Sequence, residues 1–178
     1  MEDRPPEDDR DRERGEHEPH AYNRMLGRVR DALEDLGDSP QLHIALERAK
    51  QRAVELGELS RDEADRIGGY LRRDLEDAGE FLATGGRSLR DWLQFDLEYL
   101  EQWFRDYWQS ATDMTRVELA NFERGLGPVN YYTGEVAAPG TFVCRACSQT
   151  LTLQRTGHLP PCPRCHGSTF ARRPGRGQ

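Results

Sequence analysis

The hydrophobic residues of the first 83 positions fall into three segments with helical spacing. Within each segment they step by three and four residues, which is the period of one face of an α-helix. The three stripes are Tyr22, Leu26, Val29, Leu33 and Leu36; then Leu42, Leu46, Ala49, Ala53 and Leu56; then Ala64, Ile67, Leu71, Leu75, Ala78 and Leu82. The pattern therefore predicts three helices that turn their apolar faces toward a common core.

Turn and capping residues mark where these helices begin and end. Gly37 and Gly57 are placed to end the first and second helices, because glycine readily adopts the left-handed conformation that closes a helix. Ser60 and Glu63 match a capping box, in which the two side chains satisfy each other's backbone amides at a helix start. The third helix is predicted to run from there to about Ala83.

A fourth apolar stripe begins near Ser88 and extends to about Glu123. It keeps heptad steps, as coiled-coil helices do. Its residues are Leu93, Leu97, Leu100, Phe104, Tyr107, Ala111 and Met114. Four such segments joined by short turns predict an elongated, antiparallel, coiled-coil-like bundle over residues 21–125. Aromatic residues crowd more than one face of the fourth segment, which favours self-association through the helices.

The two ends of the chain and the segment after the bundle lack such periodicity. Residues 1–20 hold 9 acids, 4 arginines and almost nothing apolar, so burial cannot offset the entropy of ordering them. We predict a disordered acidic tail there, a glycine-rich connector over residues 126–133 and a disordered end at residues 175–178.

Charge divides the chain into two parts. Residues 1–128 carry 31 acids and 19 bases, whereas residues 129–178 carry 1 acid, 6 bases and all 4 cysteines. This asymmetry predicts two separate domains, with the second over residues 134–174. No apolar run approaches the roughly 20 residues of a membrane span, and the first residues do not resemble a secretory signal. We therefore expect a cytoplasmic protein with no membrane partner.

The cysteines form two pairs, each with two intervening residues. Cys144 and Cys147 are separated by 14 residues from Cys162 and Cys165. Each pair can place two sulfurs about 2.3 Å from one metal ion, and two pairs complete the tetrahedron of a four-thiolate zinc site. Because that tetrahedron leaves no position for water, the predicted Zn²⁺ ion is structural rather than catalytic.

Short strands are predicted around the cysteine pairs, at residues 141–144, 150–154 and 168–171. Their apolar positions are Phe142, Leu151, Leu153 and Phe170. So small a core should depend on the metal for its folding. The predicted fold class is thus mainly α, a helical bundle followed by a small C-terminal β zinc ribbon.

Two other uses of the cysteines are open. The pair at Cys162 and Cys165, with Pro163 between them, is similar to a rubredoxin knuckle, which suggests an iron site or a thiol redox sensor. Disulfides would require an oxidising compartment, which nothing in the sequence indicates.

Four stretches of sequence resemble the YbeL-like family of bacterial zinc-ribbon proteins. They are residues 55–63, residues 70–76, residues 132–136 and the four-cysteine end. The likeness covers roughly residues 22–174. It implies a helical region before a C-terminal zinc ribbon, a bacterial cytosolic origin, and Cys144, Cys147, Cys162 and Cys165 as the zinc ligands. The biochemical role of the family is uncharacterised.

No motif of a nucleotide-binding loop, nucleophile elbow or metalloprotease occurs, so we expect no enzymatic activity and no small-molecule substrate. The leading interpretation is a zinc-binding adaptor whose helices bind a protein partner or a second copy of the chain. The alternative is nucleic-acid binding through the basic ribbon. Its candidate residues are Arg145, Arg155, Arg164, Arg172, Arg173 and Arg176. The chain holds 24 arginines and 1 lysine, and this compositional bias weakens the alternative.

Overall fold

The structure is a computed structural model that describes residues 7–36, 42–83 and 129–173. Three helices come first in the chain: α1 (Glu7–Leu36), α2 (Leu42–Glu55) and α3 (Arg61–Ala83). Six short strands follow: β1 (Tyr131–Tyr132), β2 (Val136–Ala137), β3 (Gly140–Cys144), β4 (Thr150–Leu153), β5 (Gly157–His158) and β6 (Thr169–Arg172). The predicted fourth helix lies outside the described residues, so the elongated four-helix bundle stays a prediction.

The three helices pack their apolar stripes into one core, as their spacing predicted. The buried stripe residues are Tyr22, Leu26, Val29, Leu42, Leu46, Ala49, Ala53, Ala64, Ile67, Leu71, Leu75 and Ala78. Leu56 was expected to join them, but it is 49% exposed. The reason is that α2 ends at Glu55, and Gly57 then turns the chain with a φ of +67°. None of the described helices is both long and apolar enough to cross a bilayer.

The predicted disordered tail over residues 1–20 is wrong from Glu7 onward, because α1 begins there. Glu18, inside that segment, is buried, and its carboxylate accepts hydrogen bonds of 2.8 and 3.1 Å from Arg66 of α3. Because Arg66 pairs with Glu18, this charged turn of α1 can pack against α3. The burial of Glu18 could not be predicted from composition, because charged residues are usually exposed to solvent.

The strands form two antiparallel sheets. One has the order β1-β6-β3-β4, and the other pairs β2 with β5. The three strands predicted from sequence are present as β3, β4 and β6, with no bound shifted by more than one residue. Phe142 and Phe170 are fully buried, and Leu151 and Leu153 pack against them.

The predicted connector over residues 126–133 is wrong at its end, because Tyr131 and Tyr132 form β1 and pair with β6. Tyr131 is fully buried, and its ring meets that of Phe142 edge to face at a centroid distance of 5.0 Å. A two-residue strand shows no alternation of apolar and polar positions, so the sequence carries no strand signal there. The ribbon therefore begins three residues before the predicted start of the second domain at residue 134.

The helices and the sheets share a core. Val136 and Ala138, from the segment around β2, are fully buried among the apolar residues of the helices. The Ala138 N–H donates a 2.7 Å hydrogen bond to the carboxylate of Asp74 in α3. The charge division along the chain therefore does not correspond to two independent cores.

The capping box at the start of α3 is present as predicted. The Ser60 N–H and Oγ donate to Glu63 Oε2 at 2.9 and 2.7 Å, and the Glu63 N–H donates to Ser60 Oγ at 3.3 Å. We expect Ser60→Ala to lower the free energy of unfolding by about 1 kcal/mol, because it removes the cap. Urea denaturation at pH 7 measures this, with the exposed Ser168→Ala as the control. Equal midpoints for the two variants would contradict the prediction.

These hydrogen bonds from Ser60 lower the pKa of the Glu63 carboxyl. A lowered pKa means that the native state favours the ionised carboxylate. Its contribution is therefore complete above the unfolded-state pKa, about 4.3 for glutamate, and is lost as the pH falls through the lower native value. The difference in stability between wild type and Ser60→Ala should accordingly shrink under acidic conditions.

Candidate metal centre

Two similar backbone turns present the cysteine pairs. β3 ends at Cys144, whose carbonyl accepts a 2.9 Å hydrogen bond from the N–H of Ser148. In the second turn, the Cys162 carbonyl accepts a 2.9 Å bond from the N–H of His166. Ser148 and His166 have φ values of 60° and 57°, so each turn closes through a left-handed residue just after its second cysteine. This repeated geometry aims both pairs of sulfurs at one point.

The structure brings the four predicted cysteines together. Their sulfurs all lie within 4.8 Å of one another. The Cys144 to Cys165 and Cys147 to Cys162 sulfur distances are both 3.6 Å. Sulfurs at about 2.3 Å from a central ion would form a tetrahedron with edges of about 3.8 Å. The sulfur positions therefore fit a tetrahedral metal ion, whereas a disulfide would need sulfurs at about 2.05 Å.

Without a cation, the thiols of Cys162 and Cys165 favour different protonation states. Burial disfavours the Cys162 thiolate, but hydrogen bonds from the N–H groups of Cys165 and Arg164 outweigh it and lower the pKa of Cys162 to about 6. The Gly167 N–H favours the Cys165 thiolate, yet hydrogen bonding with the neighbouring thiols raises the pKa of Cys165 to about 12. Four adjacent thiolates thus require a bound cation to balance their charge.

Gly167 lies directly against the sulfurs. A Cβ atom at this position would lie 3.2 Å from Cys165 Sγ and 3.3 Å from Cys144 Sγ. Sulfurs held by a metal ion cannot move apart to admit it without distorting the tetrahedron. Gly167 was not among the residues predicted from the sequence, although a glycine two residues after the last cysteine is a signal for such a close approach.

We expect Gly167→Ala to weaken zinc retention by about tenfold, the lower end of the effects seen when the surroundings of metal ligands are altered. Competition with a chromophoric zinc chelator measures this. Gly157→Ala is the matched control, because its added Cβ would meet only the Arg155 carbonyl at 3.8 Å, an ordinary contact. Equal zinc retention by the two variants would contradict the prediction, because it would mean that the sulfurs can accommodate the added Cβ at residue 167.

The ribbon arginines divide into exposed and buried residues. Arg145, Arg155 and Arg164 are exposed and form no ion pair with a residue that the structure describes. Arg172, a predicted nucleic-acid contact, is instead buried and bonded inside the protein. Arg173 is exposed, and Arg176 lies outside the described residues. The candidate basic surface is therefore smaller than its arginine count indicated.

Comparisons with known proteins agree with this geometry. A family model described as a zinc-ribbon containing domain matches residues 28–174. The uncharacterized protein YbeL of Escherichia coli strain K12 is 31% identical over 133 residues, which cover 72% of this chain and 80% of YbeL. The YbeL proteins of E. coli O6:H1 and O157:H7 match to the same extent. No solved structure matches the chain.

Proposed function

Because this chain belongs to the YbeL-like family of zinc-ribbon proteins, we propose that it holds one structural zinc ion and acts as a non-enzymatic interaction adaptor in the cytoplasm. The observation that carries the proposal is the cluster of four sulfurs within 4.8 Å, contributed by two matching turns. When bound, Zn²⁺ supplies the positive charge that keeps all four thiolates together. Four protein ligands fill its tetrahedral shell, which is typical of structural sites.

The buried charges support a structural role for the described part of the chain. Glu18, Asp74 and Arg172 are its buried charged residues. Each of them bonds to a group on another helix or on the ribbon. Enzymes instead direct perturbed charged groups into a cleft that receives the substrate. These three residues therefore hold elements together, which fits an adaptor better than an acid–base catalyst.

Metal analysis of the native protein tests the zinc assignment. We expect one zinc per chain and no visible absorbance, since Zn²⁺ has a filled d shell. Coloured protein with stoichiometric iron would instead support the rubredoxin-like alternative. Titration with peroxide addresses the sensor alternative, because a redox sensor should release its metal at stoichiometric oxidant and a structural site should not.

Sedimentation of the full chain tests self-association, the form of adaptor that the aromatic fourth segment favours. We expect a species larger than the monomer at tens of micromolar protein, with zinc bound. A variant in which Trp103 and Trp108 are replaced by glutamine should sediment as a smaller species, provided that its zinc content is unchanged. A monomer at every concentration would remove self-association and leave a separate protein partner as the adaptor's target.

Nucleic-acid binding is a second candidate, favoured by the exposed Arg145, Arg155 and Arg164, which form no ion pair within the part of the chain that the structure describes. The one acid of residues 129–173, Glu135, pairs with Arg73 and so does not oppose them. The zinc-loaded full chain should then bind single-stranded RNA or DNA at low salt and lose affinity steeply as salt rises. The triple variant with glutamine at these positions should bind more weakly. Absence of binding by the wild type at low salt would eliminate this candidate.

A further inference from the structure

A buried polar seam joins the helices to the ribbon. The seam consists of Tyr22 from α1, Arg73, Asp74 and Asp77 from α3, Tyr131 from β1 and Arg172 from β6. Tens of residues in sequence separate Tyr22, the three α3 residues, Tyr131 and Arg172, yet these side chains bond to one another or to the same ribbon backbone. The seam lies at the junction where Val136 and Ala138 enter the helical core.

Arg172 connects the ribbon backbone to α3. Its guanidinium donates to the carbonyls of Pro139 and Ala138 at 2.7 and 3.0 Å, and its Nε lies 3.3 Å from Asp77 Oδ2. Gly140 makes room for it, since a Cβ there would lie only 1.9 Å from an Arg172 nitrogen. Arg172 belongs to β6, the strand that follows the second cysteine turn. The position of this side chain therefore depends on the folded ribbon.

Asp74 connects three elements. Its Oδ2 accepts hydrogen bonds of 2.7 Å from both the Tyr22 hydroxyl in α1 and the Ala138 N–H in the ribbon. Asp74 is only 2% exposed. A buried carboxylate is costly unless it is paired and hydrogen-bonded. Arg73 of the same helix lies 3.6 Å from Asp74 Oδ1, so loss of the ribbon would leave a cation nearby but would remove one of the two hydrogen bonds that Oδ2 accepts.

Arg73 of α3 donates hydrogen bonds in the opposite direction, from the helix to the ribbon. It donates to the Val136 carbonyl at 2.8 Å and to the Glu135 carboxylate. Its guanidinium also lies over the Tyr131 ring, 4.2 Å from the centroid. Polar groups on each side of the junction therefore bond to polar groups on the other side.

We infer that zinc retention by the ribbon and the packing of α1 against α3 are one coupled equilibrium, connected through the seam. The inference rests on the proposed zinc site and adds that the helices respond to it. If the ribbon unfolds on metal loss, Asp74 and Arg73 lose ribbon partners, and the helical core loses Val136 and Ala138. Coupling between two sites is reciprocal, so a change at the helix end must also alter zinc affinity.

Asp74→Asn tests this reciprocity, because Asp74 touches none of the cysteines. We expect zinc affinity, measured by chelator competition on the full chain, to fall by about tenfold, within the usual range of coupling between sites. Asp62→Asn is the matched control: it makes the same charge change at an exposed position of the same helix. Its zinc affinity should equal that of the wild type.

Hydrogen exchange of the wild type gives the second readout. Chelation should increase exchange in the ribbon and also in the middle of α3 around Asp74. Unchanged exchange in α3 with an unfolded ribbon, or equal zinc affinities for Asp74→Asn and Asp62→Asn, would overturn the coupling alone. If the wild type bound no zinc, or if chelation left hydrogen exchange in the ribbon unchanged, the proposed function would be overturned instead. If Asp74→Asn does not fold with excess zinc, Tyr22→Phe decides, since it removes one hydrogen bond and keeps the ring.

Discussion

Cys162→Ser is expected to abolish stoichiometric zinc binding and to unfold the ribbon, residues 131–172. Cys162 is one of the two buried cysteines of the proposed site and the one whose thiol has a lowered pKa, so it contributes a thiolate that a serine hydroxyl cannot replace. Structural zinc contributes on the order of 10 kcal/mol to the folding of small zinc domains. The two small sheets bury too few side chains to offset a loss of that size.

Elemental analysis and limited proteolysis measure the two parts of this result. Zinc content should fall well below one per chain, and cleavage should appear between residues 131 and 172 while the helices are cut more slowly. Ser168→Ala, an exposed change in the same ribbon, should retain zinc and resist cleavage like the wild type. Full protease resistance of Cys162→Ser without metal would show that the ribbon folds independently of zinc.

Arg172→Met should lower the free energy of unfolding by about 3 kcal/mol, the lower end of the cost of removing one partner from a buried ion pair, because Arg172 is buried and Asp77 is partly exposed. Methionine fills much of the volume but removes the ion pair that Arg172 forms with Asp77 and the hydrogen bonds that it donates to two carbonyls. The arginine also contacts the Phe142 ring, 4.7 Å from its centroid, so packing is lost together with charge.

Denaturant unfolding of the zinc-loaded chain measures this effect. Arg155→Met is the matched control, because it makes the same substitution at an exposed ribbon position, and we expect a change within about 0.5 kcal/mol. Arg172→Lys keeps the charge but cannot bond both carbonyls through a planar fork, so its stability should lie between those of wild type and Arg172→Met. Equal stabilities for Arg172→Met and Arg155→Met would mean that the buried pair contributes no net stability.

The parts of the fold that local patterns encode were predictable. Helical spacing places Ile67, Leu71 and Leu75 on one face of α3, and all three are buried in the structure. The cysteine spacing likewise determines how two turns present four sulfurs, so the cluster could be predicted from the sequence alone. Both features depend on residues within a few positions of one another in each segment.

The parts that depend on distant partners were not predictable. Tyr22 and Asp74 are 52 residues apart, and Asp74 meets Ala138 across 64 residues. In the sequence, Asp74 is one more acid on a charged helix, and Arg172 is one more arginine in a basic segment. Only the packing of α3 against the ribbon distinguishes these two residues from the many exposed charges around them.

The four sulfurs are unequally shielded from solvent, and this has a kinetic consequence. Cys144 and Cys162 are buried, Cys147 is intermediate and Cys165 is exposed. A molecule that delivers or removes the proposed zinc ion must therefore approach from the Cys165 side. Exchange of the metal should begin with detachment of that one ligand, so small chelators should strip the protein faster than bulky ones of equal affinity.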